Sequence, residues 1–166
     1  DAQLYFVGSQ NMVDRGMTDE LHRALERLRG KAEVAFLGHR DYGPELFECF
    51  AEADVLAVPS RSEGTPRVLI EARAFGCTVV ASRVGGIPTS VDDGVDGLLV
   101  PPDDPRALSE ALLRLARDRA LRSRLIAAGL ERARRTTVEA FAEQMAEEAS
   151  ACVPTRSVRA VVSPCA

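Results

Sequence analysis

The chain has 166 residues and a formal net charge of −4 at pH 7, and 46% of its residues are hydrophobic. This length predicts one domain with a sizeable core, and the hydrophobic content excludes a disordered chain. The acidic balance excludes a strongly basic surface that would hold nucleic acid, so any bound anion must be held by local geometry.

The cysteines and the lengths of the apolar runs predict the setting of the protein. Cys49 and Cys77 lie in apolar surroundings, which predicts that both are buried, and the cysteines show no metal-binding spacing. No apolar run approaches the ~20 residues of a transmembrane helix, and no signal peptide is recognisable. We therefore expect a cytoplasmic protein, either unattached or peripheral to the inner face of a membrane.

The first elements predicted along the chain alternate between strand and helix. Short apolar runs predict buried strands at residues 4–7 and 34–38. Between them, residues 18–30 carry apolar side chains at helical spacing, with Thr18 as N-cap and a glycine as the stop. A second helix is predicted over residues 45–53.

The middle of the chain continues the same alternation. DVLAVPS at residues 54–60, TVVAS at 78–82 and GLLV at 97–100 predict three more strands. A helix is predicted between the first two of these, over residues 66–75, with Gly76 as its cap. Strands that alternate with helices predict an α/β fold, a Rossmann-like parallel sheet with helices on both faces.

The last part of the chain predicts helices alone. Residues 104–105 are Asp and Pro, the types preferred at an N-cap and at the first helical position, so a long helix should begin there. Two more helices are predicted over residues 121–134 and 138–151, and residues 152–166 show no period and predict a loose tail. The predicted domain is therefore residues 1–151.

Glycine-bearing loops follow the first four predicted strands. In a parallel sheet, ligands bind beyond the carboxyl ends of the strands. Those ends lead into VGSQ, FLGHR, SEGTP and RVGGIP, and glycine permits a tight turn or the close approach of a ligand to the backbone. For Gly8 and Gly38, taken singly, plain turn chemistry is the simpler explanation.

SEGTP carries the sharpest signal of these loops. Thr65 is a good N-cap and Pro66 a good first residue, so the helix that follows would direct unpaired N–H groups into the loop. Such a helix start binds anions without basic side chains. Because Pro66 has no N–H, Arg67 and Val68 would be the donors. The Arg67 side chain is either a partner of that anion or a solvated surface group.

Two carboxylates flank this predicted anion site. Glu63 precedes it, and a carboxylate beside a phosphate is understandable if it accepts hydrogen bonds from neighbouring sugar hydroxyls. Glu71 lies about one and a half turns inside the helix, where it could hold a vicinal diol such as a ribose. Alternatively, Glu71 is an exposed helix charge that pairs with Arg67 or Arg73.

Glu63 and Glu71 form a Glu-x7-Glu spacing inside the string VPSRSEGTPRVLIEARAFGCTVVASRVGGIPTSVDDGVDGLLVPPDDPRAL. This string resembles the donor-binding, C-terminal half of the retaining glycosyltransferases of group 1, family 4, and the likeness runs from about Leu4 to Phe141. The resemblance implies a GT-B fold, in which two Rossmann-like domains face a cleft. It also implies that a sugar passes from a nucleotide diphosphate sugar to an acceptor with retention of configuration.

The resemblance implies a role for each matching residue of the SEGTP region. Glu63 would hold hydroxyls of the donor sugar and is the residue assigned to catalysis, although no protein nucleophile is expected. Gly64, Thr65 and the N–H groups of Arg67 and Val68 would meet the sugar and the diphosphate. The donor would be a UDP-, GDP- or ADP-sugar, and no metal ion or other cofactor is expected.

Other matching residues have implied roles as well. Glu71 would hold the ribose hydroxyls, and Gly85 and Gly86 would close the wall of the pocket. Three residues after the second predicted strand would lie near the base: Gly38, His39 and Arg40.

The chain departs from the family pattern in several places. It lacks the family's first strand, with its Gly-Arg…Lys-Gly segment that clamps the diphosphate, and the N-terminal domain that would bind a glycan, lipid or small-molecule acceptor. We therefore expect the chain to be part of a longer protein and to be inactive by itself. Thr89 stands where the family usually has Glu. Neither His22 nor His39 can be given the role of the family's His near the reacting carbon.

Two other functions fit parts of the sequence. The chain could be a non-catalytic nucleotide-binding or interaction module that acts with a separate N-terminal half, and a partner carrying that half would then copurify. A nucleotide-sugar epimerase shares the GT-B architecture, although the Glu-x7-Glu spacing with EGTP counts against it. Asp92, Asp93 and Asp96 lack the ligand spacing of an EF-hand and predict a turn.

Overall fold

The structure, a computed structural model, describes residues 3–8, 23–24, 27, 33–137, 139–140, 142–143 and 145–147. The chain divides into two compact units, Asp1–Cys49 and Phe50–Ala166. Each unit contains a parallel sheet, and helices flank the sheet of the second unit. The predicted α/β fold class is therefore confirmed.

Several sequence predictions fall partly or wholly outside the described residues. Of the helix predicted at 18–30, only residues 23, 24 and 27 are described, and they are helical. The described residues between 139 and 147 are also helical, in agreement with the last predicted helix. His22 and the predicted tail at 152–166 lie outside the described part.

The first unit contains a two-stranded parallel sheet. Strand β1 (Gln3–Val7) pairs with β2 (Glu33–Gly38). The rings of Phe6 and Phe36, one from each strand, stack with their centroids 4.8 Å apart. At the end of β2, Gly38 has a φ of +72°, a conformation that glycine adopts readily, so the chain can turn away from the sheet there.

Helix α1 (Pro44–Glu52) follows and contains the boundary between the two units. Cys49 lies on this helix and is only half-buried, so the prediction that it is buried is wrong. The helix buries the next residue, Phe50, instead. The Cys49 thiol donates a hydrogen bond to the Glu45 carbonyl oxygen one turn earlier, over 3.3 Å.

The second unit is built on a three-stranded parallel sheet in the order β3-β4-β5. Strand β3 spans Val55–Val58, β4 spans Thr78–Ser82 and β5 spans Leu98–Val100. All residues of the central strand β4 are buried, whereas the edge strand β3 is mostly half-buried. A continuous apolar run is typical of a strand that is covered on both faces, and β4 has that environment.

Helices with continuous described residues follow the strands of this sheet: α2 (Val68–Ala74), α3 (Ile87–Ser90), α4 (Pro105–Arg117) and α5 (Arg119–Arg135). Helices α4 and α5 pack against β4, and the side chains between them form a buried core cluster: Val80, Leu98, Val100, Leu115, Leu121 and Leu125.

Within the described part of the chain, no helix is long and apolar enough to cross a membrane.

Two predicted helix ends are confirmed by their hydrogen bonds. The Asp104 carboxylate accepts the Ala107 N–H over 2.9 Å and so caps α4, with proline at the next position. Gly76 follows α2 with a φ of +79°, and its N–H donates to the Arg73 carbonyl over 2.9 Å. The next residue, Cys77, is buried as predicted, and burial raises the pKa of its thiol to about 12.

Candidate functional site

The loop that follows β3 holds the first predicted site carboxylate in place. We call residues 60–66 the Glu63 loop. The hydroxyl of Ser60 donates a 2.7 Å hydrogen bond to Oε1 of Glu63, and Glu63 is half-buried. The carboxylate therefore has a defined position within the loop at the carboxyl end of a strand, where ligands of parallel sheets bind.

The loop that follows β4 touches the Glu63 loop through backbone atoms. We call residues 84–86 the glycine turn. Gly86 N–H donates to the Gly64 carbonyl over 2.8 Å. Gly85 has a φ of +51°, and a Cβ added there would overlap the Glu63 carbonyl oxygen. A Cβ on Gly86 would lie 2.6 Å from the Gly64 oxygen. Only glycine allows so close an approach. The loops after β3 and β4, in which the sequence predicts ligand contacts, therefore touch each other.

The predicted cap of α2 is wrong, and the predicted cap residue lies beside the glycine turn. The helix begins at Val68, and its N-cap position is Arg67, which makes no side-chain cap, whereas Thr65 had been predicted to cap it. The Thr65 hydroxyl lies toward the glycine turn, where a Cβ on Gly86 would be 2.5 Å from it. Among the described residues, no hydrogen bond takes the Val68 N–H, one of the predicted diphosphate donors.

Glu71 lies on α2, and its carboxylate is mostly covered. Its Oε1 is 3.6 Å from Nη2 of Arg67, and the two side chains are 19% and 79% exposed. Arg67 is thus one of the two partners that the sequence suggested. The separation is longer than a hydrogen bond, so this ion pair leaves the carboxylate with capacity to accept hydrogen bonds from a ligand.

Arg73, the other suggested partner, has a different role. Its side chain is 1% exposed and donates to the Ser90 carbonyl over 2.8 Å and to the Asp96 carboxylate over 2.9 Å. Burial lowers the pKa of Arg73, and the attraction of Asp96 opposes that shift. Gly129 of α5 packs against this side chain, because a Cβ there would lie 3.1 Å from Arg73 Cγ. Arg73 therefore links α2 to Ser90, to Asp96 and to helix α5.

Asp96, the buried partner of Arg73, belongs to residues 92–97, which we call the acidic turn. Gly94 N–H donates to the Gly97 carbonyl over 2.8 Å, which confirms the predicted turn. Arg132 of α5 donates to the Asp96 carboxylate over 2.9 Å and to that of Asp92 over 3.3 Å. The carboxylate of Asp96 thus lies between two arginines.

The sequence did not reveal this network. Arg73 stands within the apolar run VLIEARAF, which was the available signal, but a single helix pattern does not show what lies opposite it.

Thr89, which replaces the Glu usual in the resembled family, contacts the glycine turn: its hydroxyl donates to the Gly86 carbonyl over 2.7 Å. Thr89 therefore supports the glycine turn.

The residues predicted to lie near a base belong to the first unit. His39 is exposed, and its Nε2 lies 3.2 Å from a carboxylate oxygen of Asp41. The Arg40 guanidinium donates to the His39 carbonyl over 3.3 Å. Together with Gly38 they form a polar turn at the carboxyl end of β2, and their contact with a base stays a prediction.

A surface cavity of about 440 Å³ opens in the second unit, at the carboxyl ends of the strands of its three-stranded sheet. It is lined by Pro59, Arg61, Ser82, Val100, Pro101, Asp103, Asp104, Pro105 and Leu108. It contains neither Glu63 nor Glu71, so the candidate site is defined by the contacts between the loops after β3 and β4.

Comparison with known proteins places this arrangement in context. The sequence matches the family described as "Glycosyl transferases group 1" over residues 1–118. The D-inositol 3-phosphate glycosyltransferase of Corynebacterium diphtheriae is 43% identical over 129 residues, a match that covers 77% of this chain and 30% of that protein. The chain thus spans about a third of the length of this relative.

The fold is similar to that of a solved protein with a bound nucleotide. The Anabaena protein HepE in complex with UDP superposes with a TM-score of 0.76 and 29% identity, over 90% of this chain and 41% of that chain. Its complex with UDP-glucose superposes with a TM-score of 0.73 and 27% identity, over 89% of this chain and 40% of that chain.

Proposed function

The chain belongs to the glycosyl transferases group 1 family, and from this premise we propose that it is the donor-binding part of a retaining glycosyltransferase. It would hold a nucleotide diphosphate sugar while the sugar is transferred to an acceptor. The acceptor would bind to a part of the enzyme outside the residues described above.

One observation carries the proposal: two carboxylates with remaining acceptor capacity stand at the carboxyl end of a parallel sheet, on a loop and a helix that are fastened in place. Glu63 receives one hydrogen bond, from Ser60, and Glu71 faces Arg67 at 3.6 Å. Such acceptors suit the hydroxyls of a sugar and of a ribose. The start of α2, with the Val68 N–H, would receive the diphosphate between them.

The donor is proposed to be a UDP-sugar. The complexes of HepE with UDP and with UDP-glucose support this choice. GDP- and ADP-sugars are the alternatives that a binding experiment separates. The loop of Gly38, His39 and Arg40 would make the base-side contacts, and the different hydrogen-bonding edges of the bases are what would decide among them.

In the proposed mechanism, the protein provides orientation and electrostatic support. The acceptor oxygen would form its bond to the anomeric carbon on the face from which the diphosphate departs, and the departing diphosphate would take the acceptor's proton. Glu63 would orient the sugar, and the Val68 N–H would stabilise the negative charge that grows on the diphosphate.

We propose that this chemistry proceeds without a metal ion or other cofactor. Across the described residues, no group of three or more His, Cys, Asp or Glu side chains is placed to ligate a metal. We also propose that the protein works in the cytoplasm, where cysteines such as Cys49 and Cys77 stay reduced.

Calorimetric titration of the chain with UDP, GDP and ADP tests the proposal. We expect saturable binding of UDP, weakened about tenfold or more by Glu71→Ala because a hydrogen-bonded charged acceptor is lost. Glu110→Ala is a matched control, since Glu110 is also a helix carboxylate that pairs with an arginine four residues away. It should leave the affinity unchanged.

Two results would contradict the proposal. The wild-type chain could bind no nucleotide, or Glu71→Ala and Glu110→Ala could have the same effect. Because the acceptor site is proposed to lie elsewhere, we also expect no sugar transfer by the chain alone. Detectable transfer in an assay with UDP-glucose would show that this part of the proposal is wrong.

A further inference from the structure

Glu63 is held at its side chain by Ser60, which has no proposed ligand contact, and at its backbone by the loop that follows β4. Ser60 binds the carboxylate over 2.7 Å. On the backbone side, Gly86 N–H binds the Gly64 carbonyl over 2.8 Å, and the Thr89 hydroxyl binds the Gly86 carbonyl over 2.7 Å. Gly85 lies against the Glu63 carbonyl itself. The protein's own contacts therefore hold both the side chain and the backbone of Glu63.

The serine contact divides the two oxygens of the carboxylate. A serine hydroxyl has one proton to donate, and here it goes to Oε1 of Glu63. No hydrogen bond formed within the described residues ends on Oε2. One oxygen is therefore committed to the protein, and the other keeps its full capacity to accept a hydrogen bond from a ligand.

A fixed carboxylate binds a hydroxyl more favourably than a mobile one. An unrestrained glutamate side chain loses rotamer entropy when a ligand immobilises it, and this loss weakens binding. Because Ser60 already restrains Glu63, much of that loss is met during folding. The benefit applies to the group that Glu63 contacts and not to groups bound elsewhere.

We propose that Ser60 is a positioning residue for the donor sugar: it fixes Glu63 so that Oε2 meets a sugar hydroxyl. The inference rests on the proposed function, in which Glu63 holds the sugar and Glu71, on α2, holds the ribose. Ser60 should then determine the affinity for the sugar part of a nucleotide sugar and leave the affinity for the nucleotide unchanged.

Titrations of the chain with UDP and UDP-glucose, followed by protein amide NMR at ligand concentrations up to the millimolar range, test this inference. For Ser60→Ala we expect the UDP-glucose affinity to fall by up to about tenfold, because an unrestrained Glu63 must then lose rotamer entropy when it binds the sugar, and the UDP affinity to change less than about twofold. Ser60→Thr keeps the hydroxyl and should restore the UDP-glucose affinity. The amide spectra also report whether each variant is folded.

If Ser60→Ala lowers the affinities for UDP-glucose and UDP by the same factor, the inference is overturned, because Ser60 would then support the loop as a whole. If Ser60→Ala changes neither affinity, the inference is overturned as well. Glu63→Ala should lower the UDP-glucose affinity by itself, and adding Ser60→Ala to it should have little further effect, since the two residues act as a unit.

The same titrations separate this inference from the proposed function. If Glu63→Ala lowers the UDP-glucose affinity and Ser60→Ala does not, the role of Ser60 alone is wrong. If Glu63→Ala changes neither affinity, or if the wild-type chain binds neither ligand, the proposed function is wrong and the role of Ser60 falls with it.

Discussion

The second unit contains two loops with acidic residues, and their carboxylates differ in burial and in the donors that surround them. In the acidic turn, Asp96 is buried and lies 2.9 Å from both Arg73 and Arg132. In the Glu63 loop, the half-buried Glu63 receives, among the described residues, a single hydrogen bond from a neutral hydroxyl. The first carboxylate is committed to the fold, and the second remains available to a ligand.

A carboxylate with a binding role is recognised by the donors around it. Acidic residues are equally visible in DDGVDG and in SEGTP, and the acidic turn has the more of them. What separates the two loops is how many donors surround each carboxylate. A buried charge must be compensated by partners, whereas Glu63 keeps acceptor capacity and is positioned by a neutral hydroxyl.

The largest expected effect comes from breaking the buried network. Arg73→Met should lower the free energy of unfolding by about 3–5 kcal/mol, because Asp96 would stay buried without one of its two charged partners. Urea denaturation measures this. Arg83→Met is the control, since Arg83 forms a 2.7 Å pair with Asp93 that is about half exposed, and its loss should cost less than about 1 kcal/mol. Equal costs would contradict the distinction.

A smaller effect is expected from the backbone contact that shapes the Glu63 loop. Gly85→Ala combines a left-handed φ of +51° with overlap against the Glu63 carbonyl, so we expect a loss of about 2–4 kcal/mol in unfolding free energy. Gly94 has a φ of +76° and open space around it, so Gly94→Ala should cost only about 1–2 kcal/mol. If both variants lose the same amount, the overlap is relieved without consequence.

The smallest effect is expected from the two binding carboxylates themselves. Glu63→Gln keeps an oxygen that can accept from Ser60, and Glu71→Gln removes a partly exposed pair, so each should change the unfolding free energy by less than about 1 kcal/mol. Thermal unfolding without ligand gives the comparison. A loss as large as that of Arg73→Met would mean that these carboxylates serve the fold.

Local patterns accounted for most of the elements. The strands of the second unit, the Asp104 cap and the glycine that ends α2 were predicted correctly, because each depends on a few neighbouring residues. The cap predicted at Thr65 is wrong, because the helix begins only at Val68 and Thr65 lies in the loop beside Gly86. The prediction that Cys49 is buried was wrong, because an apolar neighbourhood in sequence does not decide which residue of a helix faces inward.

The candidate site divides in the same way. The Glu-x7-Glu spacing places Glu63 in a loop and Glu71 on the following helix, and the sequence alone determined this because both positions belong to one continuous segment. Tertiary structure decided which carboxylates remain available. Ser60 claims one oxygen of Glu63, the glycine turn sets the loop, and Arg73 turns away from Glu71 to neutralise Asp96. Compensation of a buried charge depends on partners brought together by the fold, and spacing along the chain does not encode them.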